Sequence, residues 1–108
     1  MSLLSWNYGG LGNLRTVHAL VKVINKQDPN IVFLMETKFG LDWMLKVRDW
    51  CKYKNGLIVP SRGSSGGLAL FWKQEIRLDI QTYSHSHIDA WVDWGGWYWL
   101  VAPYRLLW

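Results

Sequence analysis

Glu36 is the residue in this sequence best placed to do chemistry. It follows the apolar run Ile31-Val32-Phe33-Leu34-Met35 and precedes Thr37-Lys38. Asn7 holds the matching position after Leu3-Leu4-Ser5-Trp6. A carboxylate at the end of a buried strand can hold a hard divalent cation or move a proton. An amide beside it can orient a water or an anion through its donor and acceptor atoms. Position alone leaves other readings open. Glu36 could be a strand-end carboxylate paired with Lys38 or an arginine. Asn7 could be a turn residue bonded to its own backbone.

Both runs read as buried strands, and the segment between them is helical. Val17, Leu20, Val21 and Ile24 recur at the spacing of one helix face, which predicts a helix over 14–26. Asn13 is a suitable N-cap, and Pro29 stops the helix. Strand 3–7, this helix and strand 31–35 make a β-α-β unit, whose crossover is right-handed and whose strands are parallel. Asn7 and Glu36 then share the carboxyl edge of a sheet, where ligands bind in open α/β folds. The turn Gly9-Gly10-Leu11-Gly12-Asn13 lacks the spacing of a dinucleotide fingerprint and reads as a strand-to-helix connection. His18 is a surface position of the helix.

A second, weaker helix covers about 41–51. The pattern then turns to β: a short strand at 57–59, a turn-rich loop from Pro60 to Gly67, and an interior strand at 68–72. Ser61 and Arg62 in that loop are candidate contacts for a phosphate backbone, and an ordinary exposed loop fits them equally well. Residues 75–81 alternate as a half-buried strand, and 84–92 alternate again. There Ser86, Ile88, Ala90 and Val92 take one side, and His85, His87 and Asp89 the other. That histidine pair reads as a polar exposed face rather than a metal site. A last strand runs from about 96 to 101.

The composition excludes several classes. Half of the 108 residues are hydrophobic, which argues against disorder. The net charge of +4 suits an anionic partner or simply a solvated basic surface. Cys51 is the only cysteine, so no internal disulfide forms; a buried position near a helix end and a reducing intracellular setting fit it. No apolar run reaches the length of a membrane span, and the N-terminus does not look like a signal peptide. Nine tryptophans are present, and Trp91, Trp94, Trp97, Trp99 and Trp108 crowd the end.

Several blocks, in order, resemble the endonuclease/exonuclease/phosphatase superfamily. They are Met1-Ser2-Leu3-Leu4-Ser5-Trp6-Asn7, Gly10-Leu11-Gly12-Asn13 and Ile31 through Lys38. Val59-Pro60-Ser61-Arg62-Gly63, Ser65-Gly66-Gly67-Leu68-Ala69-Leu70, Trp72-Lys73 and His87-Ile88-Asp89-Ala90 follow. The variant most similar stands at the front of plant LINE-type (non-LTR) retrotransposon polyproteins. The resemblance covers residues 1–93 and leaves 94–108 as a divergent Trp/Leu-rich tail.

The resemblance implies an α/β (α+β) fold, the N-terminal half of a β-sandwich, with one mixed sheet and two helices on one of its faces. It implies magnesium-dependent hydrolysis of phosphodiesters in DNA; the localisation stays open within an intracellular setting, the nucleus being one option. Asn7 resembles the family's active-site asparagine, and Glu36 its metal-binding glutamate. Tyr8, Gly9 and Leu14 depart from the retrotransposon pattern. The family's tyrosine strand, Asp-x-Asn motif, further aspartate and final histidine have no match before Trp108, and Tyr104 lacks the flanking residues of that tyrosine. The expectation is a catalytically incomplete domain. Alternatives are a nucleic-acid or carbohydrate binding module working through its aromatic side chains, or a translated mobile-element remnant without function. A half-sandwich also leaves Leu68, Leu70, Ile76, Leu78 and Ile80 without cover, which predicts self-association through an uncovered sheet face.

Overall fold

The computed structural model describes residues 2–7 and 13–102, and the backbone of 105–107. The glycine turn at 9–12 and Tyr104 lie outside the described residues. The elements, in order, are β1 (Leu3–Asn7), α1 (Leu14–Gln27), β2 (Ile31–Met35), α2 (Leu41–Trp50) and β3 (Asn55–Val59), followed by β4 (Leu68–Trp72), β5 (Arg77–Tyr83), β6 (Ile88–Asp93), β7 (Trp97–Ala102) and β8 (Arg105–Leu107).

The first sheet has the order β1-β2-β4-β3. β1 and β2 are parallel, joined by α1, while β4 runs antiparallel to both β2 and β3. This is the mixed sheet expected from the sequence, and both helices pack on one of its faces. Val17, Leu20 and Ile24 of α1 and Met44 and Val47 of α2 are buried with Val32, Leu34, Ala69 and Phe71. Asn13 caps α1 by accepting from the Arg15 amide at 2.8 Å. Gly40 precedes α2 without a side-chain cap, in keeping with that helix's weaker pattern. Gly56 of β3 is fitted to its neighbour: a Cβ there would stand 2.9 Å from the Phe71 ring.

The other face of the first sheet is where the structure corrects the sequence reading. β5 to β8 form a second, antiparallel sheet in chain order. Its Ile88, Val92, Leu100 and Ala102 pack against Ile31, Phe33, Leu68 and Leu70. Leu68 and Leu70 are buried, and Ile76, Leu78 and Ile80 are half-buried at the border of this core. The face expected to drive self-association is therefore covered by the chain's own later strands. Alternation within a strand tells which side is apolar, but not which sheet will cover it.

Candidate functional site

β1 and β2 run in the same direction with Asn7 opposite Met35, so Asn7 and Glu36 emerge from neighbouring strands at one rim. Adjacent strands lie about 4.8 Å apart, which brings the two backbones close. Both residues are exposed. Glu36 makes no ion pair with any described residue, so the alternative reading, a carboxylate paired with Lys38 or an arginine, is not formed among them.

The backbone beyond β2 is unusual. Glu36 and Lys38 both adopt left-handed conformations, at φ 55° and 64°. Each such position in a residue other than glycine costs on the order of 1 kcal/mol and persists only where the surroundings enforce it. Here the enforcement comes from the loop before β4. The Thr37 amide donates to the Gly67 carbonyl at 3.2 Å, and the Lys38 amide to the Gly66 carbonyl at 2.8 Å. One residue on, the Ser61 amide donates to the Phe39 carbonyl at 3.1 Å. Thr37 itself is fully buried, and its Oγ1 has no hydrogen-bond partner among the described residues. Gly67, at φ 94°, leaves no room for a side chain: a Cβ there would overlap Thr37 Oγ1 and come within 3.1 Å of the Lys38 amide nitrogen.

Those contacts carry Ser61 and Arg62 to the same rim. Their loop is closed by a bridge in which the Arg62 amide donates to the Ser65 carbonyl at 2.9 Å, and the Ser65 amide to the Arg62 carbonyl at 3.2 Å. The Ser61 hydroxyl donates to the Gly63 carbonyl at 3.0 Å, and Arg62 is exposed. The rim thus brings together an exposed carboxylate, an amide side chain and two exposed cations, Lys38 and Arg62. Thr37 and the Gly66-Gly67 carbonyls escaped the sequence reading. Their signal was the glycine pair itself, whose conformation a turn requires.

No group of three or more His, Cys, Asp or Glu side chains among the described residues could hold a metal ion. Magnesium bound through one carboxylate, with water completing its shell, fits Glu36; a cage of protein ligands alone does not. His87, at the end of the turn before β6, and Asp89, within β6, have a structural use instead. Ser84 Oγ lies 2.7 Å from His87 Nδ1, and Thr82 Oγ1 lies 3.0 Å from Nε2. Thr82 in turn donates to Asp89 Oδ1 from its amide at 2.7 Å and its hydroxyl at 2.6 Å. Both ring nitrogens are engaged in tying the irregular end of β5 to β6. His85 stands apart in the turn.

The profile described as "Endonuclease/Exonuclease/phosphatase family" matches residues 4–99, nearly the whole chain. The chain belongs to this family. Its fold is similar to that in "Crystal structure of AP endonuclease LMAP from Leishmania major", with a TM-score of 0.65 at 17% identity. That match covers 95% of this chain and 39% of the other, so the chain spans well under half the length of its structural neighbour. No curated protein sequence matches it. Within the family frame, the β1/β2 rim is the part of this endonuclease/exonuclease/phosphatase domain where chemistry-bearing side chains gather. No helix among the described residues is long and apolar enough to cross a membrane.

Proposed function

We propose that the chain is the front part of a magnesium-dependent phosphodiesterase that acts on DNA, of the type found in plant LINE-type retrotransposons. Glu36 holds the metal, Asn7 orients the scissile phosphate or a water, and Arg62 and Ser61 contact the phosphate backbone. The bound metal would neutralise charge developing on the phosphate. The observation that carries this reading is the carboxylate of Glu36, without an ion pair among the described residues and held in a left-handed turn beside Asn7. Strained backbone of this kind clusters at functional sites. The ordered sequence blocks support the retrotransposon type.

Catalysis also requires a base and a stabiliser for the transition state, and no group of three or more His, Cys, Asp or Glu side chains gathers at this rim among the described residues. Loss of members of one catalytic unit leaves little turnover. The isolated chain therefore binds metal without cutting DNA. Manganese, added as a paramagnetic substitute, should broaden the amide signals of Asn7, Glu36, Thr37 and Lys38, and Glu36→Gln should abolish that broadening while circular dichroism stays unchanged. Broadening that survives Glu36→Gln rejects the metal assignment. Magnesium-dependent nicking of plasmid that disappears in Glu36→Ala would show the site to be complete.

A further inference from the structure

The outer face of the second sheet is a small grid. Cross-strand register sets Arg77, Asp93 and Trp97 side by side in one row, and Asp79, Trp91 and Trp99 in the next. The first row is complete. Arg77 Nη1 lies 3.4 Å from Asp93 Oδ2, and the guanidinium carbon sits 5.6 Å from the centre of the Trp97 ring. A cation between a carboxylate and an indole face gains from both.

The second row has the same ingredients without the cation. Trp91 and Trp99 stack at 5.8 Å with 28° between their planes. Asp79 makes no ion pair with any described residue. An open depression of about 360 Å³ is lined, among the described residues, by Asp79, Trp91 and Trp97. Trp91, Trp97 and Trp99 remain 38%, 50% and 40% exposed, so aromatic surface is concentrated on this face.

We propose that this depression binds the guanidinium group of an arginine-bearing peptide, with Asp79 pairing its charge and Trp91 and Trp97 meeting its flat face. Arg77 on Trp97 is the template within the same molecule. Charge complementarity favours this occupant over the two other ligands that tryptophan faces take. Among the described side chains of this face, Asp79, Asp89 and Asp93 outnumber Arg77, although the whole chain carries +4. A nucleic-acid strand would bring its phosphates beside Asp79, and the nearby Arg77 is already engaged by Asp93. A sugar could bond the carboxylate but would leave its charge uncompensated.

The full chain, titrated with a Gly-Arg-Gly amide and followed through its indole N–H signals, should show saturable shifts confined to Trp91, Trp97 and Trp99. A peptide with citrulline for arginine keeps the shape and loses the charge; it should bind at least about tenfold more weakly, as should the arginine peptide to Asp79→Asn. Trp91→Ala should abolish binding, whereas Glu75→Gln, in the turn before β5, should leave it unchanged. Should Trp91→Ala fail to fold, the citrulline peptide and Asp79→Asn still decide. Equal binding of the arginine and citrulline peptides, an unaltered affinity in Asp79→Asn, or tighter binding of oligothymidylate or a cello-oligosaccharide on this face would overturn the proposal.

Discussion

At the scale of single residues, the buried groups between α2 and β3 make a definite statement about pH. Burial pushes the Cys51 thiol up to about 12 from its ordinary 9.0. Burial, with the charges of Cys51 and Asp28 nearby, pushes Tyr53 up to about 12 from 10.0. In the unfolded chain both ionise at their ordinary values, while in the fold both stay protonated. Between pH 9 and 12 the unfolded state therefore binds fewer protons, and stability falls as pH rises. Thermal melts across that range should show the loss, and Cys51→Ala should reduce its slope. The same burial makes Cys51 slow toward thiol reagents at neutral pH, with labelling limited by opening of the fold. Tyr53 also donates its hydroxyl to the Pro29 carbonyl at 2.6 Å. Tyr53→Phe should cost about 1–3 kcal/mol by urea unfolding, since it leaves that carbonyl unpaired.

At the scale of elements, the turn after β2 depends on a loop about thirty residues away. Gly67→Ala must displace Thr37 or the loop, and should cost about 2 kcal/mol or more. Its amide spectrum should change at 36–38 with little change in α1. This dependence is also where the sequence stopped being legible. The Asn7–Glu36 juxtaposition followed from local pattern, because a helix between two apolar runs forces parallel neighbours. The anchoring of Thr37 on Gly66 and Gly67 did not, because no local period reports a contact between separate loops. The stretch 84–92 shows the same limit on a smaller scale. Alternation grouped Ser86 with Ile88, Ala90 and Val92; the last three are buried, while Ser86 is exposed. It could not reveal that Ser84 to His87 form a turn, closed by the Ser84 amide donating to the His87 carbonyl at 2.9 Å.

At the scale of the whole molecule, the two layers stand or fall together. Leu100 of β7 is 1% exposed and packs between the sheets with Phe33 and Leu70. Leu100→Ala should cost about 2–5 kcal/mol, read from urea denaturation as one cooperative transition. A small effect would mean that β7 rests on the sandwich without supporting it. The second layer was hidden from the sequence for a physical reason: its alternating strands would suit either the edge of one sheet or a separate sheet, and only long-range pairing decides.

The strand order β1-β2-β4-β3 has a consequence for how the protein is made. A chain emerging from the ribosome delivers β2 early, but its antiparallel neighbour ends only at Trp72. The strands that shield Ile31 and Phe33 continue to Ala102. Until then those side chains stand open to water and to other nascent chains, in a topology whose distant pairings form slowly. Newly synthesised copies should therefore engage chaperones that hold apolar strands, and release from them should wait until the strands through Ala102 have been made.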